Sequence, residues 1–183
     1  MTFHRHAFTL VEILVVIVIL GIAATLIIPQ LSSASDLRAA AAARVVIADL
    51  TYAQNCAITS QKTHFVKFTR STDSDTYSVL DAVSPVEVVV RHPVTQMPFT
   101  QTLGVGGASG LAGARVGPLG IGNGAATTIA FDSLGSPYEY TPADGLVALT
   151  DAGTIDITCN GFALRIAVEP YTGELSVASV TTP

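Results

Sequence analysis

The chain has 183 residues, 49% of them apolar and 13% charged, with a net charge of −5. That apolar content, with a mean hydropathy of +0.52, excludes a disordered chain. The acidic balance disfavours a general nucleic-acid binder, which needs a basic surface to release counterions from phosphates. The length fits one domain, or one domain and an anchor.

Residues 1–7 form a polar leader carrying His4, Arg5 and His6. From Phe8 to Ile28, 17 of 21 residues are Phe, Leu, Val, Ile or Ala. As a helix this run is about 31 Å long, which matches the hydrocarbon core of a bilayer. Outside it the chain is about 45% apolar, ordinary for a globular domain. The excess hydropathy is therefore local and predicts a membrane-spanning segment over 8–28. Glu12 is the one ionisable residue in the run. A carboxylate in a bilayer costs roughly 2.5 to 3.5 kcal/mol, so Glu12 needs either water or a partner. A secretory signal peptide is the other reading of a basic leader and an apolar run. It fits poorly, because the run is long for such a peptide and an acid near its start is atypical.

The junction of Ala7 with Phe8, then Glu12, Gly21 and Pro29, resembles the class III signal of type IV prepilins and type II secretion pseudopilins. The resemblance implies that a prepilin peptidase cuts between Ala7 and Phe8, that the Phe8 amino group is then methylated, and that the apolar run stays as a permanent anchor. It departs from the usual pattern at Ala7, where Gly is the common residue. It implies an N-terminus in the cytoplasm before processing, a single pass through the inner membrane, and a C-terminal domain in the periplasm or at the cell exterior. It also gives Glu12 a partner for filament assembly, the cationic Phe8 N-terminus of a neighbouring subunit. At low dielectric that attraction is strong, and it favours one stagger of the helices.

After Pro29 the helical pattern continues to about residue 62, with a stripe of Ala43, Val46, Ile47, Leu50, Ala53, Ala57 and Ile58. The whole helix would be about 80 Å long, kinked where Pro29 removes a hydrogen bond. From His64 the period changes to two. HFVKF and TYSVLDA, separated by a polar turn, read as a hairpin. VEVVVRH, FTQTL, TTIAF, GLVALT, TIDITC, FALRIAVE and ELSVASV follow as further strand candidates, giving about eight short strands. Between Leu103 and Thr127 lie nine of the 15 glycines, which predicts a long flexible loop or insertion over about 104–126. Gly120, Gly122 and Ala125 fit a phosphate-cradle spacing only loosely, with no Lys and no clear following helix.

The helix-to-strand passage ending HFVKF, the segment IAFDSLGSPY and the closing LRIAVEPYTGEL resemble the GspH/FimT-type minor pseudopilin domain. Turn chemistry accounts for the last two, with Gly135 and Pro137 in one reversal and Tyr171-Thr172-Gly173 in another.

Constellations for catalysis are missing from the sequence. His64 and His92 lack ligand spacing, Asp73 and Asp75 read as a solvated turn, and no nucleophile or metal motif occurs. No cofactor, metal or enzymatic activity is expected. Cys56 and Cys159 could pair in an oxidising compartment, although Cys56 lies about 120° from the centre of the helix stripe, an awkward position for contact with a sheet.

The sequence thus reads as an α+β protein, a long N-terminal helix packed on a small antiparallel sandwich or curled sheet. Residues 1–7 are the leader, 8–28 the transmembrane helix, 29–62 the soluble half of that helix and 63–183 the β-rich domain. The expected function is that of a minor pseudopilin in the pseudopilus of a type II secretion system. Its partners would be the prepilin peptidase, other pseudopilins, the inner-membrane secretion platform and the membrane itself. The alternative is a FimT-like minor type IV pilin of pilus assembly or DNA uptake, disfavoured because no Lys or Arg follows Arg165.

Overall fold

The computed structural model describes residues 9–83, 86–105, 111–122, 124 and 126–180, with side chains at all of these except 24–34, 82, 83, 86 and 87. Among the described residues one helix, α1 (Leu10–Ser60), precedes eleven strands. The chain divides into two compact units, Met1–Ser35 and Asp36–Pro183.

From Leu10 to Ile22, α1 is apolar on every side apart from Glu12, and every residue is exposed. Val16 is 46% exposed, Ile17 63% and Leu10 82%. An amphipathic surface helix would hide one stripe, so this segment has the character of a helix whose partners are other molecules.

In the second unit the remaining part of α1 buries a stripe of Ala39, Ala42, Ala43, Val46, Leu50, Ala53 and Ala57, none more than 2% exposed. The alanines let the helix axis come close to what lies beneath. Ile47 and Ile58 stand at the margins, half-buried and exposed respectively.

Beneath the helix run two antiparallel sheets. The first contains β1 (His64–Arg70), β2 (Ser74–Val83), β3 (Val86–Val89), β4 (Thr100–Gly104), β6 (Thr128–Phe131), β7 (Pro137–Thr141) and β8 (Gly145–Ala148). Its order is β3-β2-β1-β6-β7-β8. The long β2 pairs with β4 along Ser74–Ser78 and with β3 along Leu80–Val83. The second sheet contains β5 (Arg115–Gly120), β9 (Gly153–Cys159), β10 (Phe162–Val168) and β11 (Leu175–Val180), in the order β11-β10-β9-β5.

Alternation sets which side chains enter the core. Val66, Phe68, Tyr77, Val79 and Phe131 of the first sheet meet Val116, Ile155, Ile157, Ile166 and Val168 of the second, together with the helix stripe. On the outer face of the second sheet, Asp156 and Arg165 stand directly opposite each other, with Nε–Oδ1 at 2.7 Å and Nη2–Oδ2 at 2.8 Å.

The nine strand segments of the sequence reading are present, and β5 and β7 join them. The glycine-rich stretch is therefore not simply a long flexible loop. Its described part turns at Leu111–Ala114 and runs as β5 against β9. Leu111, Ala114, Val116 and Ile121 are at most 5% exposed and anchor it in the core. Nor is Asp75 part of a solvated turn, because it opens the buried part of β2 and is 1% exposed.

Candidate functional site

The cleavage and methylation positions, Ala7 and Phe8, lie outside the described residues. The first described residues explain how the helix starts. Glu12 N–H donates to Thr9 Oγ1 at 3.2 Å, and Thr9 N–H donates to a Glu12 carboxylate oxygen at 3.4 Å. This is a capping box, in which the two side chains satisfy each other's otherwise unpaired backbone donors. Ile13 N–H closes the first helical turn on the Thr9 carbonyl at 3.2 Å. Glu12 thus stands exposed in the first turn of α1, where the helix dipole favours a negative charge. The Thr-x-x-Glu spacing before the apolar run carries this signal in the sequence.

Pro29 lies within the helical backbone, and its side chain is outside the described set. Cys56 is half-buried on α1, Cys159 is buried at the end of β9, and both are free thiols.

The two segments resembling the pseudopilin pattern are tied to one helix residue. Gln54 Nε2 donates to the Gly135 carbonyl at 2.9 Å and to the Thr172 carbonyl at 3.1 Å, so one amide joins the β6–β7 and β10–β11 turns. In the first turn Asp132 Oδ1 accepts N–H bonds from Leu134 and Ser136, a local device that sharpens the reversal. Gly135 and Gly173 both have positive φ, at 86° and 67°. A Cβ on Gly135 would come within 2.9 Å of the Ile58 side chain, and one on Gly173 within 2.8 Å of the Gly135 carbonyl oxygen. Each glycine therefore answers both a backbone conformation and a close approach.

A second staple joins the sheets. Asp75 accepts from Arg115 Nε at 2.9 Å and Nη2 at 3.0 Å, from Val116 N–H at 2.8 Å and from Ser71 N–H at 3.1 Å. Arg115 also donates to the carbonyls of Ser71 and Thr72. Burial alone would raise the Asp75 pKa, but Arg115 and the two backbone donors hold it below the usual carboxylate value. The open pocket of about 530 Å³ beside this staple is lined by Arg70, Ser71, Thr72, Asp75, Arg115 and Val116. Its central charges already satisfy one another.

On the other flank of α1, Tyr77 donates its hydroxyl to Asp49 Oδ2 at 2.5 Å. Burial pushes Asp49 above its ordinary value, against the opposing pull of Tyr77 and of His92. Tyr52 stacks on Phe99 at 5.2 Å between ring centres, and burial together with its bond to Cys56 pushes its hydroxyl up to about 12. These contacts fix α1 on the first sheet and gather no nucleophile with a base. Among the described residues no His, Cys, Asp or Glu side chains cluster as metal ligands.

No helix among the described residues is long and apolar enough to cross a membrane, the apolar run being described with its side chains only as far as Ala23. No curated protein and no solved structure matches the chain. A family model, the prokaryotic N-terminal methylation motif, matches residues 2–28. The match spans the polar leader, the Ala7–Phe8 junction and the apolar run with Glu12 in its first turn. The chain thus carries a prepilin-type N-terminal methylation motif, the mark of a type IV pilin-like or pseudopilin-like protein.

Proposed function

We propose that this chain is a minor pseudopilin of the GspH kind, a structural subunit of the periplasmic pseudopilus of a type II secretion system. The observation that carries the reading is the methylation motif over 2–28, within which the helix leaves its apolar side chains from Leu10 to Ile22 exposed on every side. Cleavage before Phe8 leaves that helix as a single-pass anchor in the cytoplasmic membrane, with the β-rich domain outside the cytoplasm. Withdrawal from the membrane into a bundle of like helices then covers the same apolar surface. The charge of Glu12 selects the stagger in that bundle by meeting a neighbour's N-terminal amine. Function on this reading is assembly with other pilin-like subunits and with the secretion platform, and no catalysis is assigned to the chain.

Intact-mass analysis of the protein purified from membranes tests the first step, with a chain beginning at N-methylated Phe8 as the expected result. A chain that keeps residues 1–7 in cells containing the prepilin peptidase refutes it. Glu12→Leu should insert normally and fail to co-assemble, and normal incorporation of that variant removes the stagger argument. The acidic balance of the chain favours secretion over DNA uptake. A shift of duplex DNA by the purified protein at physiological salt would favour the FimT-like alternative.

A further inference from the structure

The two turns bound by Gln54 present Leu134 81% exposed and Tyr171 72% exposed, beside Ile58 at 40%. Tyr171 holds a φ of 68°, a left-handed conformation that bulky residues rarely adopt. The ring lies mostly in solvent, and the conformation is held by the turn's backbone bonds, Gly173 N–H to the Glu169 carbonyl at 3.0 Å and Glu169 N–H to the Glu174 carbonyl at 2.9 Å, rather than by packing of the ring among the described residues. Strain of this kind kept on a rigid, exposed platform points to a contact outside the chain. Glu169 and Glu174 flank Tyr171, both exposed, and neither turn contains a basic residue. Lys62, beyond the end of α1, is the nearest basic residue in sequence to Ile58. The patch is an aromatic and aliphatic centre with an acidic rim, a combination suited to an apolar knob with a basic rim.

The same unit offers such a knob on α1. Leu37 is 71% exposed, and Arg38 and Arg44 are exposed with it. At about 100° per residue, Leu37 and Arg44 point together and nearly opposite the buried Ala39–Ala57 stripe. Arg38 lies to one side, and Ala41 and Ala48 keep the rest of that face low. Asp36 is the one acid on this stretch.

The geometry points to a one-way contact between copies of this chain, in which the Tyr171–Leu134 turn patch of one subunit docks on the Leu37–Arg44 helix face of the next. Because the two surfaces differ, the contact is heterologous and cannot close as a two-fold pair; with each subunit displaced along α1 it propagates as an open array. The inference rests on the filament reading above and names the contact between its subunits. The helix face begins at Leu37 and the turn patch lies beside Gln54 and Ile58. The contact therefore offsets successive subunits along α1 by about 25 to 30 Å, from the 17 to 21 residues between them.

The test uses the full chain in its native membrane, with Cys56→Ser as background and the buried Cys159 left in place. Differently tagged chains carrying Tyr171→Cys and Leu37→Cys are expressed together and oxidised. The expected result is a reducible dimer of the two tags, and a ladder when one chain carries both substitutions. Glu169→Arg with Glu174→Arg should lower the yield about tenfold, roughly the worth of two exposed ion pairs. Arg38→Glu with Arg44→Glu in the partner chain should restore it, which mere misfolding of either chain cannot do. If an amine-reactive reagent joins wild-type copies into multimers but the Tyr171–Leu37 bridge does not form, this contact is wrong and the filament reading stands. If wild-type copies are not joined at all, self-assembly and the contact fall together. A Tyr171→Cys chain that bridges only to itself, or only to a different protein, overturns the proposed partner.

Discussion

Replacing Asp75 by Ala tests whether the staple between the β1–β2 turn and β5 holds the two sheets together. Asp75 is 1% exposed and accepts four hydrogen bonds, from Ser71 N–H, Val116 N–H and two nitrogens of Arg115. Arg115 is 34% exposed in its side chain and regains water when its partner goes, so its share of the loss is small. The Val116 N–H is buried and has no such recourse. One buried donor left unpaired, one weakened turn and the cavity left by the carboxylate together predict a loss of about 2 to 4 kcal/mol. Urea unfolding of the purified chain in detergent measures it as a shift of midpoint at constant slope. The pH dependence supplies a second readout. Since the folded-state pKa of Asp75 is lowered from 3.8, its contribution is full above the ordinary carboxylate range and disappears only as pH falls through the lower folded value. The difference between wild type and Asp75→Ala should stay flat from about pH 8 to 5 and close in stronger acid. A loss below about 0.5 kcal/mol at neutral pH, the range of ordinary surface substitutions, would refute the staple. So would a difference that already shrinks between about pH 7 and 5.

Asp49 has the opposite sign: its pKa is raised by burial, so stability gains as pH falls from above the folded value towards 3.8. Asp49→Asn keeps an acceptor for the Tyr77 hydroxyl and should flatten that rise in a pH series of melting temperatures; an unchanged slope assigns it to another group. Gly173→Ala imposes a left-handed alanine and a Cβ within 2.8 Å of the Gly135 carbonyl oxygen and 2.5 Å of Gln54 Nε2, which predicts a loss of about 2 to 3 kcal/mol. In a Gln54→Ala background the same substitution should cost less by thermal unfolding, and strict additivity of the two would show that the turn does not press on Gln54. Glu12→Gln retains the capping-box side chain but not the charge, so helix content of the N-terminal segment in detergent should hold by circular dichroism while co-assembly in cells falls. Normal co-assembly would assign Glu12 to capping alone.

The alternating strands were legible because their pattern is local: HFVKF, TIDITC and FALRIAVE declare one buried face each. β5 hides from the same logic. Its sequence RVGPLG contains two glycines and a proline, residues that weaken a strand and forfeit a ladder donor. The register shifts between Val116 and Leu119, around Gly117 and Pro118, which suits its place at the edge of its sheet. Only the wide-spaced Leu111, Ala114, Val116 and Ile121 hint that this stretch is anchored, and their spacing fits neither a helix nor a strand throughout. β7 is masked by its opening Pro137 and by Glu139, which is buried despite its charge. Asp75 was unreadable for a different reason, since its partner Arg115 stands 40 residues away and only the fold brings them together. Gln54 is the same case, joining turns 81 and 118 residues distant. The Thr9–Glu12 capping box, by contrast, is written entirely within one helical turn.

That capping box also sorts two roles for the one acid in the apolar run. Eleven large apolar residues between Leu10 and Ile22 are 46–82% exposed in the single chain. Covering what they expose stabilises the helix in apolar surroundings by on the order of 10 kcal/mol or more. Against this the single carboxylate costs roughly 3 kcal/mol. Glu12 is therefore too weak to keep the segment in water, and partitioning into lipid or among packed helices is decided by its apolar neighbours. Its influence lies in what happens afterwards. The bond to Thr9 N–H fixes the carboxylate at the start of the helix and uses only part of its capacity, since an ionised carboxylate offers about four acceptor positions. On the proposed function, cleavage before Phe8 creates a new amine four residues before Glu12 in the chain. Once that surrounding is apolar, an amine at the right height meets a held carboxylate and one at the wrong height leaves it unpaired. The energy difference between those registers is larger there than in water. On the proposed function, the apolar run would provide the affinity of assembly and the capped acid its register.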